Sequence, residues 1–137
     1  MSEAKAKPTG PIPPYFETID GELAVGGKTA TALVAEAGDT PLFVYSTGAL
    51  EARIRELRTA LPQQLGIHYA MKANPFAPLL GWMKGWVDGF DVASGGELKL
   101  ALDAGVAAEK ISFAGPGKRD RELEFAIANG VTLNCES

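Results

Sequence analysis

Residues 68–75 read HYAMKANP, and the rest of the chain can be organised around the lysine in this stretch. The uncharged residues just before Lys72 are typical of a β-strand. Asn74-Pro75 then ends the strand, because proline cannot donate to a ladder and biases the preceding residue toward extended geometry. The sequence therefore predicts a strand whose last residues include a lysine, followed at once by a turn.

The alternation of side chains along this strand, predicted over residues 65–73, separates two faces. Ala70 and Lys72 fall on the same face as His68, while the bulkier Met71 falls on the opposite face with its odd-numbered neighbours. A lysine at the carboxyl end of a strand lies where an α/β barrel places its chemistry. The simpler alternative is a surface lysine beside a turn.

The composition is that of an ordinary globular domain. The 137 residues carry 13 lysines and arginines against 17 acidic residues, and the formal net charge of -4 does not favour nucleic-acid binding. The single cysteine, Cys135, excludes an internal disulfide, and the single histidine, His68, argues against a histidine-rich metal site. With no secretory leader and no apolar run of membrane-spanning length, a cytoplasmic protein is expected.

The chain divides into three sections by composition. Residues 1–14 are rich in lysine, proline, glycine and alanine and are predicted to be flexible. Residues 15–46 are punctuated by turn signals and predict a small β-ribbon, a short helix over residues 31–37 and a strand at residues 42–45. Residues 47–137 form the third section.

This third section alternates helix and strand patterns. A first helix is predicted from Thr47, as N-cap, to about Leu61. Further strands are predicted at 65–73, 89–94, 110–114 and 131–135, and further helices at 76–86, 97–104 and 120–128. Residues 97–106 (ELKLALDAGV) echo residues 122–131 (ELEFAIANGV), which indicates stacked βα units and a parallel sheet. An open doubly wound sheet and part of a (β/α) barrel both fit this pattern.

Two glycine-rich stretches and the cysteine offer other chemistry, and each is better interpreted structurally. A phosphate P-loop needs serine or threonine after its Gly-Lys pair, but Arg119 follows Gly117-Lys118. This stretch and Gly95-Gly96 are therefore interpreted as tight βα turns. Cys135 has no second histidine to activate it and is predicted to be a buried strand residue.

The remaining candidate pair is Lys72 with Asp91. A lysine amine is a useful nucleophile when it forms a Schiff base with a carbonyl of a substrate or of pyridoxal phosphate. Alternation in the predicted strand 89–94 places Asp91 on the corresponding face of the neighbouring strand, where it could orient the amine or balance its charge.

Three ordered motifs resemble one enzyme family: YAMKAN at 69–74, FDVASGGE at 90–97 and ISFAGPGK at 111–118. Their order and spacing are similar to those of the pyridoxal-phosphate-dependent decarboxylases of diaminopimelate, ornithine and arginine, which have the alanine-racemase-like fold. Residues 69–76 look most like the exosortase-system-associated branch of these enzymes. Alanine racemases fit less well, because Pro75-Phe76 replaces the small, glycine-bearing run expected there.

The resemblance implies a set of site residues. Lys72 would hold pyridoxal 5'-phosphate as an internal aldimine, Ala70 would lie against the cofactor ring, and Asp91 would contact the lysine region. Glu97 would lie on the cofactor side, and Lys118 matches a family position without an evident physical role. The implied reaction is loss of carbon dioxide from a small-molecule amino-acid substrate such as diaminopimelate or ornithine, in a full-length protein expected to be a homodimer.

The resemblance also implies the architecture. The fold class would be α/β, the N-terminal half of a (β/α)8 barrel, preceded by short strands that would belong to a C-terminal β-domain. The chain would then be an N-terminal portion that is inactive alone. Two other functions stay open: a non-catalytic pyridoxal-phosphate-binding barrel, and a Schiff-base aldolase that uses Lys72 without a cofactor.

Overall fold

The computed structural model describes residues 14–136, which form two compact units. One unit ends at Leu57 and the other begins at Arg58, so the boundary falls inside a helix. The segment predicted to be flexible, residues 1–14, lies outside the described residues except for Pro14. Within residues 14–136 no helix combines the length and the apolar character needed to cross a membrane.

The first unit begins with an antiparallel β-meander, which confirms the predicted ribbon. Its strands pair in the order β1-β2-β3: β1 Glu17–Ile19, β2 Glu22–Val25 and β3 Lys28–Thr29. Asp20-Gly21 and Gly26-Gly27 form the two connecting turns with positive φ at all four positions. Two-residue turns of this kind match the right-handed twist of the flanking strands, which is why Asp-Gly and Gly-Gly predicted them.

A short helix, α1 (Ala30–Ala37), follows the meander where helical turns are predicted. The Thr29 hydroxyl oxygen accepts a hydrogen bond from the Ala32 amide at 3.2 Å and caps the first turn. Gly38 ends the helix in the left-handed conformation at φ +84°, as a glycine C-cap should.

The prediction of a strand at residues 42–45 is wrong. These residues form no strand, and none of the sheets in the described part of the chain pairs with them. All four side chains are exposed, and Phe43 reaches 80%. Strand propensity alone does not fix a strand, because an extended segment needs a neighbouring ladder for its backbone hydrogen bonds.

The next helix, α2, spans Thr47–Ala60 as predicted, but its cap is one residue earlier. The Ser46 hydroxyl oxygen accepts a hydrogen bond from the Ala49 amide at 3.2 Å, so Ser46 is the N-cap and Thr47 is the first helical residue. Ile54 is buried, while charged side chains pair along the exposed side of the helix.

The second unit is a parallel sheet with helical connections, which confirms the predicted βα succession. Its strands are β4 His68–Ala70, β5 Gly89–Val92, β6 Ile111–Phe113 and β7 Thr132–Leu133. Its helices are α3 Ala77–Met83, α4 Gly95–Asp103 and α5 Asp120–Asn129. All strand pairs are parallel in the order β4-β5-β6-β7. This sequential order, without a reversal, is that of a barrel and not of a doubly wound sheet.

One face of this sheet forms the core together with the helices. The fully buried side chains of the sheet include Phe90, Val92 and Phe113, and Leu80 and Leu98 are buried on the helices. The strand residues between them point the other way and are only half-buried, as period-two alternation requires. That second face carries the candidate site.

The strands are shorter than predicted at both ends of the sheet. Since β7 ends at Leu133, Cys135 lies beyond the strand and is exposed, so its predicted burial is wrong. Helices pack against three of these short strands: α4 contacts β5 and β6, and α5 contacts β7.

Candidate active site

Lys72 lies in a 3-10 turn, Met71–Ala73, that directly follows β4. The predicted extension of the strand through residue 73 is therefore wrong, and β4 ends at Ala70. The backbone turns on itself because the Asn74 amide donates to the Met71 carbonyl at 3.1 Å instead of to a neighbouring strand. Met71 is fully buried and anchors the turn, while Lys72 is exposed.

The loop after Lys72 is held by Asn74. Its carbonyl oxygen accepts a hydrogen bond from the Tyr69 hydroxyl at 2.9 Å, and its side-chain oxygen accepts one from the Phe76 amide at 3.0 Å. The Tyr69 ring packs edge-on against Phe90, with 5.7 Å between ring centroids and 73° between planes. Asn74 therefore fixes the backbone on both sides of Pro75, so the end of the Lys72 turn has a defined position.

A row of small and polar residues crosses the half-buried face of the sheet beside this turn. Ala70 of β4 is in register with Asp91 of β5, Asp91 with Ser112 of β6, and Ser112 with Thr132 of β7. The Ser112 hydroxyl donates to Asp91 Oδ1 at 2.5 Å. Sequence reasoning missed Ser112, although its position between two apolar strand residues could have identified it.

The site residues predicted from the sequence are brought together only in part. Ala70 and Asp91 are in register on adjacent strands, and the Lys72 turn packs against β5. Within residues 14–136, however, the Lys72 amine makes no hydrogen bond or ion pair, with Asp91 or with any other group. An exposed amine that no described residue engages is chemically able to react with the carbonyl of a ligand.

Glu97 has a structural role at the start of α4. Its carboxylate accepts a hydrogen bond from the Ala93 amide at 2.7 Å, and the Ser94 hydroxyl oxygen accepts one from the Glu97 amide at 3.2 Å. Ser94 is therefore the N-cap of α4, and the glutamate side chain satisfies the backbone donor of Ala93, which directly follows β5.

Glu122 links the first turns of α4 and α5. One carboxylate oxygen accepts from the Gly95 amide at 2.6 Å and the other from the Arg119 amide at 3.1 Å. These hydrogen bonds, led by the one from Gly95, hold the pKa of Glu122 below its ordinary value. A β-carbon on Gly95 would lie 3.0 Å from Glu122 Cγ, so the glycine allows this close contact.

Lys118 joins the carboxyl ends of β6 and β7. Its ammonium group donates to the Gly115 carbonyl at 2.7 Å and the Asn134 carbonyl at 2.8 Å, and pairs with Glu136 at 3.3 Å. The Glu136 carboxylate in turn accepts from the Gly115 amide, which is the main cause of its lowered pKa. The Lys118 side chain is only 9% exposed, so this lysine is structural, in contrast to Lys72.

Comparison with known proteins bears on both the fold and the site. Residues 47–137 match the family model described as "Pyridoxal-dependent decarboxylase, pyridoxal binding domain". A diaminopimelate decarboxylase of Aquifex aeolicus is 43% identical over 126 residues, which are 90% of this chain and 29% of that protein. An L-glutamyl-[BtrI acyl-carrier protein] decarboxylase of Niallia circulans is 40% identical over 68% of this chain and 22% of its own length.

A solved structure of a decarboxylase also has a fold similar to that of this chain. The crystal structure of diaminopimelate decarboxylase from M. jannaschii in complex with L-lysine superposes with a TM-score of 0.75 at 29% identity, over 90% of this chain and 30% of that one. The chain thus spans less than a third of the length of these relatives. The predicted α/β fold class, with its barrel-type βα succession, and the expected cofactor, pyridoxal phosphate, are confirmed. The chain belongs to the family of pyridoxal-dependent decarboxylases.

Proposed function

We propose that the full-length protein is a pyridoxal-phosphate-dependent amino-acid decarboxylase, with Lys72 as the residue that holds the cofactor. The observation that carries the proposal is the Lys72 turn itself. It follows the strand that ends at Ala70, lies within the family match, and presents an exposed amine that is not engaged by the described residues. The other lysine in a family motif, Lys118, is bound to three oxygen atoms.

Each site residue then has a separate task. Lys72 would bind the aldehyde carbon of the cofactor through its ε-amine. Ala70, with only a methyl group on the half-buried face, would leave space for the cofactor ring. Asp91, in register with Ala70, would provide negative charge beside the lysine region. When bound, the cofactor supplies an electron sink for the electron pair left on an α-carbon when its carboxylate departs as carbon dioxide.

The substrate class is proposed as an amino acid with a free α-carboxylate and a polar or charged distal group. Relatives of similar identity are named for different substrates: diaminopimelate in one, an L-glutamyl group on an acyl-carrier protein in another. Identity at this level therefore supports the decarboxylase reaction and not one particular side chain. A homodimer and a cytoplasmic location are part of the same proposal.

Borohydride trapping of the full-length protein tests the lysine assignment. Reduction after incubation with pyridoxal phosphate, followed by peptide mapping, should find the phosphopyridoxyl group on Lys72. Lys72→Arg keeps the positive charge but should lose the label, whereas Lys99→Arg should keep it, because Lys99 is an exposed lysine paired with Asp103 on α4. A label on another lysine would refute the assignment.

Carbon dioxide release then separates the alternatives. A panel of diaminopimelate, ornithine, arginine and lysine should yield carbon dioxide from at least one member. Labelling of Lys72 without release from any amino acid would favour the non-catalytic cofactor-binding barrel. Trapping of a carbonyl substrate on Lys72 in the absence of cofactor would favour the aldolase.

A further inference from the structure

The Asp91 carboxylate has one partner within residues 14–136, and that partner is Ser112. The Ser112 hydroxyl donates to Oδ1 at 2.5 Å, and no basic side chain pairs with the carboxylate in this part of the chain. The orientation of Asp91 therefore depends on a single neutral hydroxyl group.

The position of Ser112 makes this contact a product of the sheet register. Asp91 and Ser112 are directly paired across β5 and β6, and Asp91 is paired with Ala70 on its other side. The residues that flank Ser112 in the strand, Ile111 and Phe113, are buried in the core at 1% and 0% exposure. Because both neighbours are packed into the core, the Ser112 hydroxyl is held on the same face of the sheet as Asp91.

We infer that Ser112 is a positioning residue for the cofactor site, acting through Asp91. A carboxylate offers two oxygen atoms as acceptors, and the bond from Ser112 uses Oδ1. This bond restricts rotation of the carboxylate, and Oδ2, which accepts no hydrogen bond from residues 14–136, would interact with the bound cofactor. The inference rests on the proposed function, since it concerns the pyridoxal phosphate that Lys72 would hold.

A matched pair of variants separates the hydroxyl group from the shape of the side chain. Ser112→Thr keeps the hydroxyl group, whereas Ser112→Val has nearly the same volume as threonine and lacks it; both are well suited to a strand. In the full-length protein, Ser112→Val should weaken pyridoxal phosphate binding about fivefold to tenfold, the equivalent of one ordinary hydrogen bond. Ser112→Thr should stay within about twofold of the wild type.

The readouts are the dissociation constant for pyridoxal phosphate, the absorbance maximum of the bound cofactor, and the thermal midpoint without cofactor. The same substitutions are also made in an Asp91→Ala background, because coupling between two residues appears as non-additivity. In that background Ser112→Val should cause no further loss of cofactor affinity. A role in folding alone would lower the thermal midpoint and leave the affinity of the folded protein unchanged.

The outcomes distinguish this inference from the proposed function. Equal cofactor affinity in the valine and threonine variants would overturn the inference about Ser112. The inference would also be overturned if Ser112→Val weakened cofactor binding as much in the Asp91→Ala background as in the wild type. Wild-type protein that binds pyridoxal phosphate on Lys72 would in either case still support the proposed function. Wild-type protein without cofactor on Lys72 would overturn both.

Discussion

The imidazole of His68 lies against the backbone of Gly89, so close that a β-carbon on the glycine would be 2.5 Å from the ring atom Cε1. The two residues are paired across β4 and β5. On its other side the same β-carbon would lie 2.5 Å from the carbonyl oxygen of Lys110. Glycine at the start of β5 therefore lets three neighbouring segments approach closely at the end of the sheet away from Lys72.

Gly89→Ala should destabilise the protein by about 1–3 kcal/mol, because the imidazole can rotate away but the Lys110 carbonyl belongs to the backbone. The measurement is the free energy of unfolding from urea titration of the full-length protein. Gly81→Ala is the control: Gly81 lies inside α3, no atom beyond its chain neighbours and the backbone of its own helix is within 4 Å of its added β-carbon, and alanine is favoured in a helix by up to about 1 kcal/mol. Equal effects of the two substitutions would contradict the steric explanation.

The side-chain patterns of the sequence predicted the elements whose stabilisation is local or periodic. Alternation separated buried Phe90 and Val92 from half-buried Asp91, and the structure confirms this division. The pairs Asp20-Gly21 and Gly26-Gly27 predicted the turns of the β-meander, since positive φ is adopted readily by glycine and tolerated by aspartate. Repetition of the βα pattern predicted the parallel sheet, because each amphipathic helix needs a strand face on which to pack.

Features that depend on distant partners could not be predicted in this way. Residues 42–45 have strand propensity, but the described chain offers no ladder for them to join. The turn at Lys72 is closed by a hydrogen bond between Asn74 and Met71 and braced by the Tyr69 hydroxyl. Neither contact has a signature in the order of residues, so the lysine was expected to lie in the strand.

Tyr69→Phe tests the brace behind the Lys72 turn. The substitution keeps the ring contact with Phe90 but leaves the Asn74 carbonyl without the hydroxyl donor, so we expect a loss of about 1 kcal/mol in the free energy of unfolding. Because the loop then has more freedom next to the turn, borohydride trapping of cofactor on Lys72 should also become slower. If both the free energy of unfolding and the rate of trapping were unchanged, the Tyr69 hydroxyl would support neither the fold nor the Lys72 turn.

Lys118→Met tests the buried link between β6 and β7. The thioether side chain fills similar space but cannot donate to Gly115 and Asn134, so we expect a loss of about 2–3 kcal/mol in the free energy of unfolding. Lys99→Met is the matched control, because its exposed ion pair with Asp103 should contribute less than about 1 kcal/mol. A loss as small for Lys118 as for Lys99 would contradict the structural role of Lys118.

The carboxylate of Glu122 should make stability depend on pH in the acid range. Its pKa is lowered below the ordinary value of 4.5, chiefly by the hydrogen bond from the Gly95 amide, so the folded state binds its proton less readily than the unfolded state. The stabilisation is therefore complete above pH 4.5 and is lost as the pH falls through the lower pKa of the folded state.

Glu122→Gln should accordingly be less stable than the wild type at pH 7, and this difference should narrow as the pH falls below 4.5. The urea midpoint, measured at several pH values between 7 and 3 on the full-length protein, checks both statements. Glu124→Gln is the control on the same helix, since the Glu124 side chain is exposed and makes no hydrogen bond or ion pair with residues 14–136. A stability difference between wild type and Glu122→Gln that stayed constant between pH 7 and pH 3 would contradict this explanation, because it would not depend on protonation of the carboxylate.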